Sequence, residues 1–492
     1  VGSRPSPALA VTAGTLVVGP VALAFWSGGY FDGPRLVALG GVAVVLLVLA
    51  VVAPAGSLLP RGAGPWAAVA GLSLLAGWVA LSRGRSVLPD VAGDDAERVL
   101  LYAGFLVAGS IAWRRRDLAR LAEPLVAGGI LVVLLYALAG RWLPGVVSLT
   151  ATVNAGGRLE QPLTYWNAMG LVAAIGIVLC LRMAGDAERS ADLRAGAAAA
   201  VVPLGCGVYL SFSRGALAAL AAGLVVLFVC APSRAQVRAG LVALLASGVA
   251  VAVCATLPGV RALEGGAGTR ERQGLVAFAV TLLGAAAAAT LADRIGRSER
   301  RDGMRAFALP VAARWVAALL VVMTVAVPVL AARSSGVGRV AAAGQPQFGA
   351  STRRLTSLES NRYAYWRVAL RAFRAHPVSG VGSGSFKAEW LRQRTIDDPA
   401  KDAHSLELET LAELGLVGFA MLLAVLGGVA ASARRVWRCD PGLAAGPAAG
   451  LTVFLIHSGL DWDWEIPGAT LPALTLAALL VARASAPAEV DA

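Results

Sequence analysis

Long apolar runs separated by short polar connections dominate this chain. With a window of about 19 residues, the runs centre near Leu16, Val45, Leu72, Leu106, Val132, Ala173, Val201, Leu220, Leu244, Leu282, Leu320, Ala424, Val453 and Leu474. Each is long enough to cross the hydrocarbon core of a bilayer as a helix, so the pattern predicts about 14 spans of about 20 residues. No early stretch combines a basic n-region with a short apolar core and an A-x-A site, so the first run reads as a span rather than a cleaved signal. The one long polar interval runs from about Ala332 to Thr410, far beyond an ordinary connection. The expected fold is all-α and polytopic. Residues 1–333 form an N-terminal bundle that includes a hairpin near 211–215, residues 334–410 one large extracytoplasmic loop, and residues 411–492 the C-terminal helices.

Composition agrees with the periodicity. A 492-residue chain that is 57% hydrophobic and 15% charged, with mean hydropathy +0.70, cannot bury its apolar surface in one soluble core. Arginine orients the threading, because basic short loops stay cytoplasmic. Trp113 to Arg120, Arg182 to Arg194, Arg234 to Arg238, Arg294 to Arg305 and Arg434 to Arg438 fall on one side. That leaves both termini inside and puts residues 27–35, 82–98, 141–162, 257–273, 334–410 and 459–466 outside. The net charge of +13 has no soluble basic domain behind it, so membrane lipid phosphates, not nucleic acid, are the expected counterpart. Five cysteines without C-x-x-C spacing point to neither a disulfide nor a zinc site.

Within the long interval, Ser334 to Ser351 reads as a flexible linker. From Ser360 to Ala375 the pattern is helical, with Tyr363, Trp366, Leu370 and Phe373 on one apolar stripe and Arg367, Arg371 and Arg374 on the flank and opposite face. Arg362 falls on the buried side, where a guanidinium needs an anion or an escape to solvent. His376-Pro377 ends the helix. Gly380, Gly382 and Gly384 lack the strand and helix of a dinucleotide site and read as turn residues. Ala403 to Gly415 reads as a helix entering the next span.

Few residues suit chemistry. The three histidines, His376, His404 and His457, all thread to the outer side, and imidazole suits proton transfer near neutrality. His404 stands at a helix start beside a basic loop, as either a helix cap or a base; His376 suits the last turn of a helix. Arg214, in Leu210 to Gly215 (LSFSRG), sits between two apolar runs with almost no loop, and either anchors the hairpin or binds phosphate. Gly459 to Glu465 (GLDWDWE) offers Asp461, Asp463 and Glu465, either as solvated loop charge or as partners for an imidazole or arginine. Beyond Asp461 and Asp463 no metal cluster stands out, and no P-loop or H-E-x-x-H occurs, so the expected chemistry uses no metal and no cofactor.

Three stretches together resemble the superfamily of O-antigen ligases and O-antigen polymerases, membrane glycosyltransferases. They are Ser211 to Gly215 with its S-R-G; Arg362 and Trp366 followed by His376 to Gly382 and Ser385-Phe386; and His404-Ser405 running to Glu413-Leu414-Gly415. Leu159 to Leu171 is similar to the family's stretch before a mid-chain span, and the resemblance is strongest over about residues 205–470. It implies a plasma (inner) membrane enzyme, active on the extracytoplasmic face, that moves a glycan from an undecaprenyl-diphosphate-linked donor to a hydroxyl of a glycan, lipid or protein, inverting the anomeric centre without metal. By the same resemblance Arg214 and Arg362 hold the diphosphate and His404 is the general base. Asp461 is the candidate to orient His404 or an arginine. A polysaccharide or lipid-linked glycan transporter or flippase is the rival reading; it predicts repeated halves and midplane binding groups, and no internal repeat is visible. A non-catalytic scaffold leaves Arg362 unexplained.

Overall fold

The computed structural model describes residues 7–302, 349–351, 355 and 360–486, and among these every regular element is helical. The N-terminal part comprises α1 (Pro7–Ala24), α2 (Asp32–Val52), α3 (Ala63–Ser82), α4 (Pro89–Ala112), α5 (Arg116–Trp142), α6 (Trp166–Ala184), α7 (Ala191–Ser211), α8 (Arg214–Cys230), α9 (Arg234–Thr256), the one-turn α10 (Pro258–Arg261) and α11 (Ala267–Asp302). Two short helices follow, α12 (Arg362–Ala375) and α13 (Phe386–Gln393), and then α14 (Leu406–Cys439), α15 (Pro441–Ser458) and α16 (Pro467–Ser485).

Ten helices among the described residues are long and apolar enough to cross a membrane: α1, α2, α3, α5, α6, α7, α9, α11, α14 and α16. Of the about 14 spans expected, these ten meet that test among the described residues. The runs at Leu106, Leu220 and Val453 are helices α4, α8 and α15 but fall outside that set. Their reasons differ. The first turns of α4 carry Asp90, Asp94, Asp95, Glu97 and Arg98; α8 has only 17 residues; glycine, proline and His457 dilute α15. The run at Leu320 and the boundary near residue 334 lie outside the described residues.

The bundle is built around α6, in which every residue from Asn167 to Ala184 is buried; α16 is nearly as enclosed. By contrast α2 turns Leu36, Val37, Val44, Leu47 and Val51 outward, the apolar exterior that lipid requires. Small residues allow close helix approach: a Cβ added at Gly428 of α14 would stand 2.4 Å from the Ala68 nitrogen of α3.

The segment between α11 and α14 is docked onto the bundle through a broken helix. Gly415 interrupts α14 with φ 65° and ψ −164°. The backbone groups released there are taken up by the incoming loop, since Leu416 N–H donates to Pro377 O (2.8 Å) and Val417 N–H to Val378 O (3.2 Å). In return Val381 N–H donates to Ala412 O and Gly382 N–H to Glu413 O. A side chain at Gly380 would lie 2.2 Å from the Glu413 backbone, so this glycine serves close docking. On α12 the buried face is Tyr365, Val368, Ala369 and Ala372 with Trp366. Tyr363, Leu370 and Phe373 are only half-buried. The predicted stripe is therefore rotated: Trp366 stays buried, and Tyr365, Val368, Ala369 and Ala372 replace Tyr363, Leu370 and Phe373 beside it. Arg362 stays on the buried side, one turn before Tyr365.

Arginine-rich loops meet at one end of the bundle. Arg116 pairs with Asp440 at 2.8 Å, Arg189 with Glu123 at 2.9 Å, and Arg120 with Glu188. The connections before α4, α6, α8, α12 and α14 gather at the opposite end.

Candidate functional site

A cavity of about 890 Å³ opens at that opposite end, lined by the loop after α1, the α5–α6 connection, the start of α8 and the 360–405 segment. Each wall is fixed by local chemistry. In the α5–α6 connection, Glu160 accepts from Thr152 N–H (2.6 Å) and Thr152 O–H (2.7 Å), and Arg141 donates to Gly157 O (2.6 Å). That loop presents Arg158, almost fully buried, whose Nε donates to Ala155 O (2.6 Å) and Nη2 to Asn154 O (2.8 Å). Its guanidinium lies over the Trp166 ring, 3.6 Å from the centroid, a cation–π contact that keeps the plane fixed. Arg214 lines the same cavity from the first residue of α8, and Arg362 from the first residue of α12.

Asp461 ties the walls together. It is 1% exposed and accepts from Tyr165 O–H at 2.7 Å, from Asn167 Nδ2 at 2.7 Å and from Arg362 Nη2. Burial alone would raise its pKa, but Arg362, His404 and His457 together pull it below the ordinary carboxylate value. Asp463 and Glu465 of the same turn are buried too, so the turn is not solvated charge.

His404 is not the helix cap. Ser405 is, its hydroxyl accepting from Leu408 N–H, and His404 precedes it in a left-handed conformation, φ 54°, which is uncommon for a side-chain-bearing residue. Its Nδ1 is 3.1 Å from Asp402 O. A carbonyl can only accept, so Nδ1 carries the proton and Nε2 holds the lone pair of the neutral ring. His404 lines the cavity with 20% of its side chain exposed, and Nε2 lies 3.9 Å from Asp461 Oδ1. The ring is flanked by Tyr365 and Trp462 at centroid distances of 5.1 and 6.3 Å. Burial lowers its pKa below the ordinary imidazole value, and Arg362 adds to this, against the opposing pull of Asp461. His376 lies exposed after α12 and takes no part.

The structure thus brings Arg214, Arg362 and His404 to one cavity, with Asp461 buried beside it as the partner of Arg362, and adds residues that sequence reasoning missed. Arg158 is one; it is the lone arginine of the α5–α6 connection, 143–165, and that isolation was the available signal. Asn361 and Tyr365 also line the cavity and both donate to Asp398. Carboxylates are grouped differently from expectation: Asp402, Glu409 and Glu465 present oxygens within 4.8 Å of one another, a set that could hold a metal ion. Arg98 sits against this group, paired with Glu465 and Asp95. Burial pushes the Asp402 carboxyl up to about 6, with Arg98 opposing.

Compared with known families, residues 262–423 match the family model described as O-antigen ligase. The matched segment holds Arg362 and His404, while Arg158, Arg214 and Asp461 lie outside it. No curated protein matches the chain.

Proposed function

We propose that the protein is a membrane glycosyltransferase that moves a glycan from an undecaprenyl-diphosphate-linked donor to a hydroxyl acceptor at the extracytoplasmic face. The observation that carries this reading is the convergence of three guanidinium groups, Arg158, Arg214 and Arg362, with an imidazole whose Nε2 is unprotonated, around one cavity of about 890 Å³. Arginine forks match phosphate oxygens with paired, charge-assisted hydrogen bonds. A diphosphate presents more charge than one fork can cover.

In the proposed step the acceptor oxygen attacks the anomeric carbon and its proton passes to His404 Nε2. The bond from that carbon to the diphosphate breaks, and the electron pair leaves on the diphosphate oxygen, where the arginines offset the developing charge. Asp461, 3.9 Å from Nε2, stabilises the imidazolium that forms. Attack opposite the leaving group inverts the anomeric configuration. The leaving group needs no acid, and the proton is later released to water.

The test is donor-dependent transfer by the purified protein in proteoliposomes, with the product linkage read by NMR. A new glycosidic bond of inverted configuration supports the reading. Movement of intact donor across the bilayer with no new bond overturns it in favour of a flippase.

A further inference from the structure

The S-R-G turn is gripped on both sides by one imidazole. Phe212, just before it, has φ 50°, a strained position that persists only where the surroundings over-determine it. Ser213 is the N-cap of α8, its Oγ accepting from Ala216 N–H at 3.2 Å. The same Oγ lies 3.2 Å from Nε2 of His457, in the last turn of α15. His457 Nδ1 faces the Asp463 carboxylate. Because a carboxylate accepts, Nδ1 carries the proton, and Nε2 shares a hydrogen bond with the Ser213 hydroxyl. On the other flank of Arg214, a Cβ added at Gly215 would stand 3.2 Å from both Cδ2 and Nε2 of the ring. Both neighbours of Arg214 are thus fitted to His457.

Ser213, His457 and Asp463 form a serine–histidine–aspartate chain, but they are 3%, 0% and 0% exposed and none lines the cavity. A nucleophile needs access to substrate, so this chain holds structure. Its far end lies in the same short turn as Asp461, the partner of Arg362. We propose that His457, clamped by Asp463, is a positioning residue that fixes the S-R-G turn and so aims Arg214 into the cavity in register with Arg362. The inference rests on the anion-binding part of the proposed function.

Inorganic pyrophosphate is the probe, its binding to the full-length protein in nanodiscs measured by calorimetry. His457→Ala should weaken it about tenfold, the cost of one lost buried hydrogen bond. In an Arg214→Ala background the same change should have no further effect, because His457 acts through Arg214. His457→Gln, whose amide can serve both Ser213 and Asp463, should restore most of the affinity. Equal losses in both backgrounds, or no loss in either, overturn the proposal. If His457→Ala does not accumulate, Ser213→Ala with and without Arg214→Ala completes the same cycle. Wild-type protein that binds pyrophosphate but transfers no glycan contradicts the functional reading alone, and the cycle still decides the role of His457.

Discussion

Two sets of arginines in the bundle are held in different ways. At the end where the basic loops meet, guanidinium groups are matched to carboxylates of neighbouring loops, as in Arg116 with Asp440 and Arg189 with Glu123. At the cavity end Arg158 is held by backbone carbonyls and the face of Trp166, and Arg362 by one carboxylate that it shares with Tyr165 and Asn167. Arg158 and Arg362 line the cavity, beside space that an anion could fill. Arg116 and Arg189 are not among its lining residues and tie loops together. Arginine count alone does not separate the two sets, whereas the position of each arginine relative to the cavity does.

The largest effect should come from Arg362→Lys, which retains charge but loses the fork. Transfer from lipid-linked donor should be abolished, whereas Arg367→Lys and Arg371→Lys, on the outer side of α12, stay near wild type. Equal behaviour of all three in the transfer assay would remove Arg362 from the site. Next, Arg158→Lys should raise the donor KM about tenfold, because an ammonium cannot both stack on Trp166 and keep two carbonyl contacts; an unchanged KM would return Arg158 to a purely structural part. At the opposite end Arg120→Ala breaks an exposed pair, and transfer should stay within about twofold. A large loss there would erase the distinction between the two ends. Smallest of all, EDTA should leave the rate of purified enzyme unchanged. Inhibition reversed by magnesium or manganese would make Asp402, Glu409 and Glu465 metal ligands and displace the arginine mechanism.

Much of this architecture was readable from local pattern. Apolar runs predicted the helices, and the helical wheel kept Arg362 on the inner side of α12 even though the stripe around it turned out rotated toward Ala369 and Ala372. What pattern could not reach were pairings between residues far apart in the chain. Asp461 meets Tyr165 and Asn167 across most of the sequence, and nothing near Gly459 to Glu465 distinguishes a buried junction from a solvated turn. The break at Gly415 was hidden because hydropathy runs straight through it; only the loop backbone that fills the gap reveals it. His457 looked like one more outer histidine because Ser213, which explains it, belongs to another helix.

The pH–rate profile of glycan transfer by wild type and His404→Ala, at saturating donor, decides whether His404 is the base. His404 must be neutral to accept a proton, so activity is present above its pKa and lost as pH falls through it. Burial and Arg362 lower that pKa, so the wild-type acid limb should lie below the ordinary imidazole value of about 6.5. His404→Ala should still bind donor, transfer at a rate lower by a factor of about 100 or more, and lack that limb. A His404→Ala enzyme with a near wild-type rate and the same acid limb would contradict the account and leave the arginines as the whole of the catalytic machinery.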